Sequence, residues 1–163
     1  MAYVEPDTVM LEGVRLIFKN FEGRKEQYNA DGERNFAIAL PFDQAQGLMA
    51  NKWNVKVKES PEEGEEPLAY LPVKVNFDSR SAPRITLISS SGRTMITPET
   101  AAVLDTLEYT NIDVMIRAYD WEVNGKSGRK AYLQTAFFTL YEDPLELKYA
   151  KMQRDLQAHG DDD

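Results

Sequence analysis

The chain of 163 residues has no cysteine and a single histidine, His159. Without cysteine there are no disulfides, no thiol nucleophiles and no thiolate-bound zinc. One histidine near the C-terminal end supports neither a catalytic dyad nor a metal site, so the commonest general base is missing from the body. No run of about eighteen apolar residues occurs, and no membrane span is expected. Met1 to Asp7 carries acids and has neither the basic nor the apolar region of a secretion signal, which reads as a cytoplasmic protein.

Enzymatic signatures are equally scarce. The Gly-x-x-x-x-Gly-Lys-[Ser/Thr] phosphate loop is absent. Asp113 and Asp120 fall on one strand but on opposite faces, Asp143 falls in a loop, and Ser89 to Ser91 have no histidine partner in the body. No carboxylate cluster has two-metal spacing. A non-catalytic protein with no cofactor and no metal is expected.

Basic charge is in the minority, with a net charge of −8 from 27 acids and 19 bases. The excess is local. Glu59 to Glu66 contains five acids and Asp161 to Asp163 three more; without those eight, 19 acids face 19 bases. A neutral body with its surplus acid segregated can still present a basic groove.

What the chain has in abundance is period-two alternation, the signature of half-buried strands. The sequence predicts strands over Met10 to Phe18, Arg34 to Leu40, Leu68 to Phe77, Arg84 to Ser89, Ile112 to Val123 and Arg129 to Tyr141. In the first, Val14, Leu16 and Phe18 share a core face, with Arg15, Ile17 and Lys19 opposite. A short helix is expected over Phe42 to Trp53, an extended piece over Val55 to Lys58 and a solvated loop over Glu59 to Glu66. Thr97-Pro98-Glu99 opens a second helix running to about Leu107, with threonine as N-cap and proline at the first position. Asn124-Gly125 joins the two longest strands as a hairpin. Leu145 to Ala158 suits a helix, and His159 to Asp163 a mobile tail. These pieces make a mainly β protein, simplest as a small antiparallel barrel of OB type with one or two short helices. The barrel domain is expected over 1–147, with an acidic C-terminal helix or tail over 148–163.

The strand Ile112 to Trp121 is the most informative. Ile112, Val114, Ile116 and Ala118 suit a core, while Met115, Arg117, Tyr119 and Trp121 point to the other face. A guanidinium, a phenol and an indole then stand at steps of about 7 Å. Bases stack on such platforms without being read. The same stripe also suits a second buried layer, because Tyr and Trp fill cores too. Further cations lie on other strands and loops: Arg15, Lys19, Lys74, Arg80, Arg84, Arg93, and Lys126, Arg129 and Lys130 of the closing hairpin, beside Tyr132. Cations next to aromatics across several strands suit a phosphate backbone, although each alone also reads as a solvated surface charge. Trp53 reads as a core residue or a base stacker, and Arg24, Lys25 and Tyr28 as a loop able to close over a bound strand. Asp161, Asp162 and Asp163 form a dense acidic patch able to occupy a basic groove.

In order along the chain, Gly-Val-Arg-Leu-Ile-Phe (13–18), Val-Lys-Val-Asn-Phe-Asp (73–78), a helix before the last hairpin, Ile-Arg-Ala-Tyr-Asp-Trp (116–121), Tyr-Leu-Gln (132–134) and an acidic end resemble the phage-type single-stranded DNA-binding proteins with an OB fold. The resemblance implies coating of exposed strands during phage replication, recombination and repair, with little sequence preference, in the host-cell cytoplasm. It also implies single-stranded DNA as partner, replication or recombination proteins held by the acidic tail, and self-association as a homodimer. A phage structural barrel, its aromatic stripe serving as a protein interface, and a strand-annealing mediator are the alternatives the residues leave open.

Overall fold

The computed structural model describes residues 2–5, 7–59 and 63–160. In chain order the elements are β1 (Ala2–Glu5), β2 (Thr8–Leu11), β3 (Arg15–Asn20), β4 (Arg34–Leu40), α1 (Phe42–Ala50), β5 (Lys56–Lys58), β6 (Leu68–Val75), β7 (Arg84–Ser89) and β8 (Gly92–Ile96). A 3-10 turn (Ala101–Asp105), β9 (Tyr109–Val123), β10 (Lys126–Leu140) and α2 (Pro144–Gly160) complete them.

Hydrogen bonds connect the strands in the order β1-β2-β9-β10-β6-β4-β3, with β7 joined to β10 and β8 to β7. The Val14 amide donates to the Ile112 carbonyl at 2.9 Å, which ties the start of β3 back to β9. Strands β3, β4, β6, β9 and β10 therefore make a ring. Numbered along the chain as one to five, they run 1-2-3-5-4 around it, with the third and fifth parallel. That is the partly open five-stranded barrel of the OB fold, the class expected from the sequence. Two pairings, β6–β10 and β7–β10, are parallel.

Inside the ring, alternate residues interlock. Phe36 and Ile38 of β4, Leu71 and Val73 of β6, Val114 and Ile116 of β9, and Leu133 and Phe138 of β10 are all buried. Phe21 stacks on Phe36 with centroids 5.2 Å apart and meets Phe138 edge-on at 5.8 Å; Tyr109 lies 5.0 Å from Phe138. Burial, reinforced by Asp105, raises the Tyr109 pKa, and its hydroxyl donates to the Leu104 carbonyl at 2.9 Å. The Asp105 carboxylate accepts from the amides of Phe21 and Glu22 at 2.9 and 3.0 Å, so the 3-10 turn pins the exit of β3.

Several expectations are corrected. The first strand breaks at residues 12–14, where Gly13 has φ +60°, giving β2 and β3. Within β3 the register slips between Ile17 and Asn20, and Phe18, at φ +53°, turns outward and is 59% exposed rather than buried. The slip also parts Lys19 from the Arg15 face: its ammonium sits 5.4 Å over the Tyr109 ring. Thr97 does not cap an α-helix. Residues 97–100 form a turn, in which the Thr100 hydroxyl accepts from the Thr97 amide at 2.9 Å, and the single 3-10 turn follows. Five residues bury only Ala101 and Leu104, too little to hold a longer helix. The segment after Ser91 is a strand, β8, and Arg93 lies in it. Helix α1 stops at Ala50; the chain turns at Lys52 (φ +68°) and delivers Trp53 to the core, 3% exposed. The expected boundary at 147 falls inside α2, which includes His159 and is capped by Asp143: its Oδ1 accepts from the Leu145 and Glu146 amides at 2.8 and 3.1 Å. Asp161 to Asp163 lie outside the described residues.

Phe138 meets two further rings at the centre of the barrel, so Phe138→Ala should cost about 3–5 kcal/mol in urea unfolding. A loss below about 1 kcal/mol would mean that the ring cluster does not hold the core.

Candidate nucleic-acid interface

Register decides what reaches the outer surface. Ladder β9–β10 pairs Arg117 with Tyr132, Tyr119 with Lys130, Trp121 with Gly128 and Val123 with Lys126, and paired residues share a face. Asn124 and Gly125 take positive φ (+52° and +78°), the I′ geometry that closes a two-residue hairpin without slippage. Across the neighbouring strands, Tyr132 pairs with Lys74 and Lys74 with Asn35. One outward row therefore reads Arg117, Tyr132, Lys74, Asn35, over four strands and roughly 14 Å at the usual strand spacing.

Along β9 the expected stripe is on this outer face. Tyr119 is 59% exposed, and Arg117 and Trp121 are half-buried. The Tyr119 and Tyr132 rings meet edge to face at 6.0 Å. Asp120 and Glu122 fall on the opposite face by the same alternation, so no acid separates Arg117, Tyr119 and Trp121; Asp113, two positions before Met115, lies on the outer side and accepts from the Gly13 amide at 2.8 Å. Trp121 lies flat across its partner strand: a Cβ added to Gly128 would come within 2.9 Å of the indole Cζ2 and 3.0 Å of Nε1. Gly128 is thus the gap in β10 into which the indole settles, which sets its plane parallel to the sheet.

At Gln134 a bulge inserts one residue into β10, between the Leu133–Ile116 and Thr135–Met115 pairs. Outward positions then shift from even to odd, and Thr135 pairs with Arg84. Beyond it, Arg93 of β8 lies 5.7 Å over the Phe137 ring. The outer face thereby continues from Lys130 and Tyr132 towards Arg84 and Arg93. Arg80 is exposed in the turn before β7, and Lys126 is exposed at the hairpin. Arg15 lies at the other end of the barrel, in a row with Ala39, Tyr70 and Lys56.

Two residues named from the sequence are not brought to this face. Arg129 points to the opposite side, where its Nε bonds Asp120 Oδ1 at 2.9 Å and its guanidinium covers Trp53 at 5.7 Å. Lys19 is held over Tyr109, as above. Trp53 is buried, leaving no open indole face there for a base. Arg24 is engaged by Glu22, Glu26 and Asp105 at 3.1, 3.4 and 3.5 Å, which raises its pKa, with the Glu22 bond the largest cause.

Three features go beyond the sequence reading or resolve what it leaves open. Phe18 and Tyr70 form an outward aromatic pair, edge to face at 5.4 Å, beside Arg15. Tyr70 is readable, sharing strand parity with Lys74; Phe18 is not, because its positive φ breaks the alternation. Tyr28, 93% exposed, tops the loop from β3 to β4. That loop is anchored to the outward row: Asn29 Oδ1 accepts from Asn35 Nδ2 at 2.6 Å, while Asn29 Nδ2 donates to the Arg24 and Glu33 carbonyls. Next to it a cleft of about 360 Å³ is lined by Arg34, Asn35, Lys74, Phe77, Pro98 and Tyr132, with the acids Glu33 and Asp78 also on its wall. Phe77 lies beneath the Arg34 guanidinium at 5.3 Å. The face therefore combines flat rings, separated cations and a cleft open to solvent, and it can hold unstacked bases and a phosphate chain together.

A family model for a phage ssDNA-binding domain matches residues 1–160. Among solved structures, the single-stranded DNA-binding protein from bacteriophage Enc34 in complex with ssDNA is similar in fold, with a TM-score of 0.53 and 11% identity over 85% of this chain and 89% of that one. A second structure of the Enc34 protein gives 0.51 at 11% identity, covering 85% and 83%. Its C-terminal truncation gives 0.50 at 13%, covering 85% and 88%. No curated protein matches the chain.

Gly128→Val fills the gap under the indole and should lift Trp121 off the sheet. Acrylamide quenching of tryptophan emission should rise, against the constant background of buried Trp53, while urea unfolding stays cooperative. Unchanged quenching would show that the indole does not rest on residue 128.

Proposed function

This chain belongs to the phage single-stranded DNA-binding domain family, and on that premise we propose that it coats exposed strands by laying them across the outer faces of β9, β10, β6 and β4. The observation that carries this reading is the shared, solvent-open face of Arg117, Tyr119, Trp121, Tyr132, Lys130 and Lys74. Tyr119 and Trp121 give stacking surfaces, Tyr132 braces the first, and Arg117, Lys130 and Lys74 stand between them as phosphate partners. In OB folds the second and third strands and the loops after the first and fourth receive oligonucleotides. Here those are β4, β6, the Tyr28 loop and the Lys126 hairpin. Arg84 and Arg80 extend the path past the bulge, and Arg15, with Phe18 and Tyr70, offers a second stacking patch at the other end.

The role is stoichiometric rather than catalytic: binding keeps a strand single, extended and protected while replication, recombination and repair act on it inside the host cell. Among the described residues no helix is long and apolar enough to cross a membrane. Helix α2 and the residues after it are an appendage to the binding domain, and the last of them, Asp161 to Asp163, compete for the basic face or contact other replication proteins.

Titration with oligo-dT should quench tryptophan emission, with an affinity that falls as salt rises and exceeds that for duplex DNA. Tyr119→Ala and Trp121→Ala should each weaken binding by about 1–3 kcal/mol with the fold intact. Lys74→Ala should flatten the log–log salt slope by about 0.7. Absence of quenching and of gel shifts at low salt would overturn the reading. Loss of cooperative unfolding in Trp121→Ala would instead place that indole in the core.

A further inference from the structure

The cleft beside the outward row differs from the row in carrying hydrogen-bonding groups that the fold does not use. It lies where β4 begins and β6 ends, at the Arg34–Val75 pair. Its volume of about 360 Å³ is at the small end of ligand sites, which run from roughly 300 to 1,000 Å³. That suits a single planar group rather than a stacked run.

Two flat groups line it. One is the ring of Tyr132, from the outward row. The other is the Arg34 guanidinium, whose Nη1 donates to the Phe21 carbonyl at 2.6 Å while one face lies over Phe77 at 5.3 Å. Fixed by an edge and a face, it leaves its other face to the cleft it lines. Unstacked bases lie on guanidinium planes as they do on aromatic rings. Lys74, exposed in the row between Tyr132 and Asn35, stands where the phosphate of an inserted nucleotide can be met.

The polar wall has a definite pattern. Asn76 Oδ1 accepts from the Asp78 amide at 3.0 Å, which fixes the turn after β6 and leaves Asn76 Nδ2 without a partner among the described residues. Glu33 is held by its backbone: its carbonyl accepts from Asn29 Nδ2 at 2.9 Å and its amide donates to the Ala30 carbonyl at 3.2 Å. Neither the Glu33 nor the Asp78 carboxylate joins an ion pair among the described residues, where the paired cations are Arg24 and Arg129. The wall therefore offers one amide donor beside two carboxylates, which only accept. Among the DNA bases guanine matches this pattern best. Its O6 accepts from an amide, and its N1–H and amino group are adjacent donors for a carboxylate. Adenine and cytosine bring one amino group next to an acceptor. Thymine brings a single N–H between two carbonyls, which carboxylates repel. The same acids repel phosphate, so the base enters and the backbone stays at the rim.

Taking the strand-binding reading as its premise, we infer that the cleft is a single-base pocket with a preference for guanine, stacked against Arg34 and Tyr132 and edge-bonded by Asn76, Asp78 and Glu33. The rings of the row can take any base, and the pocket adds a preference at one nucleotide of the bound strand.

The test is competition by short oligonucleotides against a labelled oligo-dT, read by fluorescence anisotropy on the full chain. Oligo-dT with one internal guanine should bind about fivefold more tightly than oligo-dT itself. An adenine or cytosine in the same place should gain about twofold at most, and hypoxanthine, which lacks the amino group, should fall between guanine and thymine. Glu33→Gln combined with Asp78→Asn should bring the guanine-to-thymine ratio close to one while oligo-dT still binds, because both side chains are exposed. Asn76→Asp keeps the acceptor that closes the turn and removes the donor, so it should lose the preference as well. A wild type with no preference for guanine over the other bases, or a preference that survives the double variant, would overturn the inference. Failure of the strand-binding reading looks different, since oligo-dT itself would then not bind.

Discussion

Everything on the outer face is placed by the ladder between β9 and β10. Because side chains alternate with period two, sliding one strand by a single residue would send Arg117, Tyr119 and Trp121 inward and Ile116 and Val114 outward. The register is held at both ends. At one end the two-residue Asn124-Gly125 turn fixes Val123 opposite Lys126. At the other, buried Val114 and Ile112 oppose buried Ala136 and Phe138. Between them the bulge at Gln134 resolves a conflict. The first half of β10 must match β6, and the second half must match β7, and one extra residue lets both halves keep apolar side chains inside.

The same alternation explains how an acidic chain keeps a cationic face. Of the three acids on β9, Asp120 and Glu122 share the side that carries Arg129, which pairs with Asp120, while Asp113 lies on the outer side beyond Met115 and accepts from the Gly13 amide. Arg24 is likewise absorbed by three carboxylates at the mouth of its loop. Glu65 and Glu66 precede β6, whose Lys74 stands roughly 20 Å further along the strand. That is about two Debye lengths at moderate salt, so the acidic run scarcely weakens the field at Lys74. Net charge is thus a poor guide to this surface, and distribution by strand parity a good one.

Strand parity is also what makes much of the protein legible. The core face of β9, the outward Arg117–Tyr119–Trp121 stripe, Lys74 and the Asn-Gly hairpin follow from alternation and turn chemistry alone. The failures have several causes, the first being points where the backbone departs from the pleat. Phe18 and Lys19 escape the sequence reading because a positive φ and a register slip leave no mark on composition. Arg129 has the right residue type beside the right neighbours, yet its odd position before the bulge turns it to the Trp53 side. The segment after Thr97 carries good capping residues for a helix, but tertiary burial of only Ala101 and Leu104 leaves it a single turn. Strand β8 is hidden by its Ser-Gly opening and by side chains that are almost all exposed.

What the face lacks bears on how it would treat a bound strand. Reading a base requires free amides or hydroxyls aimed at its edge, whereas stacking needs only a flat ring, which every base can use. Two of the amides near the platform are already committed. Asn35 donates to Asn29 at 2.6 Å and thereby holds the Tyr28 loop, and Gln134 donates to the Met115 sulfur at 3.3 Å within the bulge. Either could read a base only by releasing the loop or the bulge it stabilises. The remaining groups on the row are rings and cations, which suit π faces and phosphate. On the proposed reading, such a surface favours an unpaired strand over a duplex, whose bases are already stacked on one another, because stacking asks of a base only an open π face.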